Sequence, residues 1–158
     1  MSSAVMGQEM PSTGSPPDET ETRAPEARAE TFQAVREARR SELAEDYVEL
    51  IAELIARFGE ARPVDIAVRM GVTAPTVAKT LDRLARDGLV ARARYRSVFL
   101  SADGAALAED CRQRHEIVVR FLIRLGLDPK TAEKDAEGIE HHVSARTLEL
   151  FRDFARRD

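Results

Sequence analysis

The chain has 158 residues, room for one ordinary domain or two very small ones, with 43% hydrophobic and 33% charged residues and a formal charge of −4. No run of about 18 apolar residues occurs, so no membrane span is expected, and the N-terminus lacks the basic-then-apolar order of a secretory signal. The lone Cys111 excludes an internal disulfide, reads as a small buried hydrophobe, and favours a cytoplasmic location.

Residues 1–30 hold six acids against Arg23 and Arg28 and are rich in Ser, Pro, Thr and Glu. Such a stretch buries too little apolar surface to offset chain entropy, and a disordered acidic tail is expected over 1–33. From about residue 34 the pattern turns helical: Leu43, Tyr47, Leu50, Ile51, Leu54, Ile55 and Phe58 recur at three and four, and Gly59 is a natural stop. A short helix starting at Pro63 and ending before Gly71 follows. Next, Thr73 can cap a helix that tolerates Pro75 in its first turn, buries Val77, Leu81 and Leu84, and closes at Gly88. "LVARARYRSVFLS" then has the alternation of two short strands with Arg94, Tyr95 and Arg96 near the tip.

This order of elements predicts a mainly α protein whose residues 34–101 form a winged helix-turn-helix with a two-stranded wing. Residues 102–158 are expected to be all-helical and to pair subunits. They comprise a long helix from Asp103 to about Leu125, a helix from Pro129 to near His142, and a last one capped by Ser144 that carries Leu148, Phe151 and Phe154.

Charge distribution decides more than the net value. Residues 62–100 hold eight bases against three acids, a basic island in an acidic chain. A recognition helix needs short polar groups for base edges and cations for phosphates. Thr73, Thr76, Lys79, Thr80 and Arg83 fit that need on the face opposite Val77, Leu81 and Leu84, and Arg92, Arg94 and Arg96 alternate along the hairpin. The plain alternative is a solvated amphipathic helix with a charged turn; the element order together with the local charge favours DNA.

A second constellation is spread over separate helices. In "DAEGIEHHVS" a helical advance of about 100° per residue puts Glu137, Glu140 and His141 on one face and turns His142 away. Asp46 and Glu49 lie three apart in "EDYVEL", and His115 sits in "CRQRHEIV". Each pair alone is commonplace on a solvent face, and a lone helical histidine is more often hydrogen-bonded than a ligand.

The segments "EDYVELI", "DIAVRMGVTAPTVAKTLDRL", "RSVFLSADG", "RHEIVVRFL" and "DAEGIEHHVS", in this order, resemble the manganese transport regulators within the diphtheria toxin repressor family of metal-activated repressors. The likeness runs from about residue 34 to the C-terminus. It implies two Mn²⁺ per subunit, held by Asp46, Glu49, His115, Glu137, Glu140 and His141, with Glu140 bridging and His142 outside the ligand set. It also implies a cytoplasmic homodimer that binds double-stranded operator DNA, represses manganese-uptake genes, catalyses nothing, and uses neither membrane nor organic cofactor. Iron-responsive relatives carry Met and Cys where this chain has Glu49 and Glu137, and a further C-terminal domain that is not expected here. Independently of the likeness, four carboxylates and two imidazoles make a hard site suited to Mn²⁺. The alternatives weighed are a di-metal carboxylate oxidase, which would need Glu-x-x-His on two helices, and a winged-helix regulator answering to a small organic ligand.

Overall fold

A computed structural model describes the backbone of residues 19–92 and 97–156 and the side chains of 28–91 and 97–156. Its elements run α1 (Glu19–Phe58), α2 (Pro63–Met70), α3 (Ala74–Arg86), β1 (Val90–Arg92), β2 (Val98–Leu100), α4 (Ala102–Arg124), α5 (Pro129–Ile139) and α6 (Ala145–Arg156). The mainly α reading with a two-stranded wing is what the chain adopts. Arg39–Asp158 form one compact unit that holds every candidate site residue.

Helix α1 begins at Glu19 and not near residue 34, so 19–33 are helical where disorder was expected, while residues 1–18 of the expected tail lie outside the described residues. Composition argued correctly that this stretch cannot build a core, and residues 28–41 are exposed on all sides. Helix formation does not require burial, however. Residues 26–40 are mostly Glu, Ala and Arg, residue types that lose little side-chain freedom in a helix. Further along, Tyr47, Val48, Ile51 and Leu54 fall on one buried face at helical spacing.

The turn residues do their expected work in the winged part. Gly71 takes a left-handed conformation (φ 65°) that ends α2, and Thr73 caps α3, its hydroxyl accepting from the Thr76 N–H at 3.4 Å. Val90 pairs with Leu100 across the antiparallel strands, and the Val98 N–H donates to the Ala61 carbonyl at 2.8 Å. The loop before α2 thus grips the base of the wing, a grip repeated by Ser97, whose hydroxyl donates to Glu60 Oε2 at 2.7 Å. Arg94, Tyr95 and Arg96 lie outside the described residues.

Ser101 caps α4, Asp128 caps α5 and Ser144 caps α6, each through a side-chain oxygen that accepts a backbone N–H three residues on. Helix α5 stops at Ile139, short of the expected end near His142. Its chain tightens there into a turn in which the His142 N–H reaches the Ile139 carbonyl (3.1 Å).

Two separate apolar clusters result. Tyr47, Ile51, Leu54, Ile66, Val77, Leu81, Leu84, Val90 and Val98 form the core of the winged part. Val118, Val119, Leu122, Ala132, Ala136 and Leu148 form the core of the helical part, where Phe121 and Phe151 stack with centroids 3.8 Å apart. Helix α4 runs from one cluster to the other, with Ala108 and Cys111 buried between them.

Candidate metal centre and nucleic-acid interface

Polar groups gather where the two clusters meet. Asp46 and Glu49 come from α1, His115 from α4, Glu137 from α5, and Glu140 and His141 from the turn that ends α5. All six line one cleft of about 960 Å³. Glu140 is the most enclosed carboxylate, with 2% of its side chain exposed, and Glu137 is the most open of the six. His142 points away to solvent beside Glu42.

The donors are engaged with one another. His115 Nδ1 lies 2.6 Å from Glu140 Oε2. His141 Nδ1 lies 2.8 Å from Glu45 Oε2, and its Nε2 faces Asp46 Oδ1 at 3.4 Å and Glu140 Oε1 at 3.7 Å. Among the described residues, no three His, Cys, Asp or Glu side chains are grouped as they would be around an ion.

The electrostatics nevertheless ask for a cation. Burial, with repulsion from Glu140 and Glu137, pushes the Glu49 carboxyl up to about 7. Burial likewise raises Asp46, where Glu42 and Glu137 add repulsion, and raises Glu140 against the pull of His115. Burial alone would lower both histidines, but carboxylate partners outweigh it: Glu133 and Glu140 raise His115, and Glu45, Glu140 and Asp46 raise His141. Three half-buried or buried carboxylates that resist ionisation are a site short of positive charge. A hard divalent ion fits this set of oxygens and imidazoles. Cys111 does not join it: it is fully buried and does not line the cleft, and burial with the nearby Glu45 and Glu49 pushes its thiol up to about 12.

Sequence reasoning missed three participants. Glu45 is buried and accepts from Arg114 Nη2 at 2.6 Å as well as facing His141. Despite its burial, those two partners hold its carboxyl below the ordinary range. Glu133 Oε2 lies 2.8 Å from His115 Nε2. One signal for Glu45 was present: it stands four residues before Glu49 and so shares its face.

On α3, Thr73, Thr76 and Lys79 are exposed and Arg83 is half-buried. Thr80 corrects the expected DNA-facing set, because it is 8% exposed and packs with the core. Its position three after Val77 and four before Leu84 puts it on the buried side. The side chain of Arg92, with Arg94 and Arg96, lies outside the described residues.

Residues 40–98 match the family described as "Iron dependent repressor, N-terminal DNA binding domain". Residues 101–157 match "Iron dependent repressor, metal binding and dimerisation domain". The chain is 54% identical to the transcriptional regulator MntR of Escherichia coli O6:H1 over 84% of this chain and 85% of that one. It is 38% identical to the HTH-type transcriptional regulator MntR of Lysinibacillus sphaericus over 69% and 78%. Among solved structures it is similar to a manganese-dependent transcriptional repressor in complex with manganese, with TM-score 0.63 and 28% identity over 71% of this chain and 52% of that one. The chain thus spans about half of that longer structure.

Proposed function

This chain belongs to the iron-dependent repressor family, and from that membership we propose that it is a manganese-activated, DNA-binding repressor of manganese-uptake genes. It works as a homodimer on double-stranded operator DNA in the cytoplasm, with residues 34–101 as the DNA-binding half and 102–158 as the metal-binding and dimerisation half. The observation that carries the reading is the polar seam, where His141 of the helical half reaches Glu45 (2.8 Å) and Asp46 (3.4 Å) on α1.

Asp46, Glu49, His115, Glu137, Glu140 and His141 would hold Mn²⁺. Two ions per subunit are supported by Glu140, whose Oε2 turns to His115 and whose Oε1 turns to His141, the disposition of a bridging carboxylate. Bound Mn²⁺ supplies positive charge that offsets the carboxylate repulsion and bonds α1 to the helical half. Asp46 and Glu49 ride on the helix that forms one wall of the winged core, so their placement sets the placement of α3. In the dimer the separation of the two recognition helices must match successive major grooves about 34 Å apart. Thr73, Thr76, Lys79, Arg83, Arg92, Arg94 and Arg96 supply the contacts to bases and phosphates. Subunit pairing is supported by exposed Ile123, Leu125, Leu150 and Phe154, an apolar set on α4, its C-terminal end and α6.

The oxidase and organic-ligand readings find no support, since the family and the similar proteins are metal-responsive regulators. The test is operator-duplex binding titrated with Mn²⁺, Fe²⁺, Zn²⁺ and chelator. Mn²⁺ should tighten binding about 5–150-fold, the span of 1–3 kcal/mol of coupling, and chelator should reverse it. Glu49→Ala should remain a folded dimer while losing that response. Operator binding indifferent to Mn²⁺ and chelator would remove the proposal.

A further inference from the structure

Both imidazoles of the candidate centre are gripped from outside the six candidate donors. His115 Nε2 lies 2.8 Å from Glu133 Oε2 while its Nδ1 turns to Glu140. His141 is the mirror case, with Nδ1 at 2.8 Å from Glu45 Oε2 while Nε2 faces Asp46 and Glu140. In each ring one nitrogen points to the enclosed bridging candidate Glu140, and the other points to a glutamate on the far side. We propose that Glu133 and Glu45 are positioning residues that fix opposite ring-nitrogen assignments, so that His115 binds its cation through Nδ1 and His141 binds through Nε2. The inference rests on the metal-binding reading given above.

A neutral imidazole has one N–H donor and one lone pair, so the acceptor that takes the N–H decides which nitrogen is left for an ion. A metal-ligating histidine generally gives its second ring N–H to a carboxylate or carbonyl, which fixes the tautomer and the ring plane. Glu45 is suited to this role, for its carboxylate is itself held by Arg114 Nη2 at 2.6 Å and Ser41 Oγ at 3.2 Å. Glu133 reaches His115 from α5, one turn before Glu137 and on the same face. That single helix therefore presents an outer glutamate and then a candidate ligand. Glu133 is 61% exposed, so replacing it leaves the core intact.

The test uses the full chain with ¹⁵N-labelled histidine, read by long-range nitrogen–proton spectra. With diamagnetic Cd²⁺, the coordinated nitrogens should be Nδ1 of His115 and Nε2 of His141. In the Cd²⁺ form, Glu133→Ala should mix the nitrogen assignment of His115, leave the His141 pattern alone, and weaken Mn²⁺ binding by about tenfold or more in calorimetry. Glu133→Gln, which keeps a carbonyl acceptor, should restore both the nitrogen assignment and most of the affinity. If Glu133→Gln loses as much affinity as Glu133→Ala, Glu133 acts through its charge or as a ligand, and the positioning role is overturned. The reverse nitrogen assignment at either histidine in the Cd²⁺ form, or unchanged Mn²⁺ affinity in Glu133→Ala, overturns it as well. A wild-type chain that binds no Mn²⁺ at all would instead sink the metal-binding reading beneath it.

Discussion

Glu49 shows at the scale of one residue how the centre stores its demand for metal. Its folded pKa of about 7 stands above the ordinary 4.5, so between those values the metal-free fold holds a proton that the unfolded chain has shed. Stability from this group therefore falls as pH rises through that window, and the full cost stands above it. His115 and His141, both raised above 6.5, act in the same direction, because what they contribute is lost as pH climbs past their raised values. Glu45, lowered from 4.5, opposes only below that pH. Thermal melts of metal-free protein should thus show greater stability near pH 5.5 than near pH 8. Glu49→Gln should recover on the order of 1 kcal/mol at the higher pH, a figure discounted for partial solvent access. Manganese binding would displace these same protons, so its affinity should climb as pH rises through the window. A flat profile in both measurements would mean that the carboxylates are not strained. Residue type and helical spacing made the clusters of the six candidate donors visible, but only the family resemblance implied that they are ligands. Arg114 and Glu133 were not legible: each acts through a partner eighteen or more positions away, and no periodicity in the sequence announces such a contact.

Among the elements, the order of helices and strands was readable from caps and stops, since Thr73 and Ser144 each accept a local hydrogen bond that needs no tertiary context. Two failures have the opposite origin. The face of Thr80 was misjudged on polarity alone, though its spacing from Val77 and Leu84 already put it inward. The first turn of α4 hides a steric requirement that no pattern reveals. A Cβ on Gly104 would sit 1.9 Å from the Leu89 carbonyl oxygen, which also accepts the Ser101 N–H at 3.0 Å. The residue that leads into the wing's first strand and the start of α4 are pressed together at this point, and backbone cannot yield as a flexible side chain would. Gly104→Ala should therefore destabilise by about 1–3 kcal/mol or more, although alanine is the better helix former. Urea unfolding at fixed metal content measures this. An equally stable variant would show that the junction opens freely and is not the rigid link between wing and α4.

For the molecule as a whole, the decisive feature is that two apolar clusters share no residue and meet across a polar seam. Each cluster buries only a modest core, and what joins them is α4 together with the hydrogen bonds of Glu45 to Arg114 and His141. A seam of like-charged carboxylates is a weak joint, and in the proposed function the two halves would shift until an ion couples them. Metal-free protein should then unfold in calorimetry with a broad or split transition, its calorimetric enthalpy exceeding the van't Hoff value. Saturating Mn²⁺ should merge the two events and raise the midpoint. The gain is about 2.7 kcal/mol when free ion stands at a hundred times its Kd. Ala in place of Glu49 should keep the split transition at any Mn²⁺ concentration, because that variant lacks one of the donors on α1 that tie the seam. A sharp single transition in metal-free protein, unmoved in shape by Mn²⁺, would mean that the halves are already one rigid body. Metal could then govern DNA affinity only through charge and not through the separation of the recognition helices.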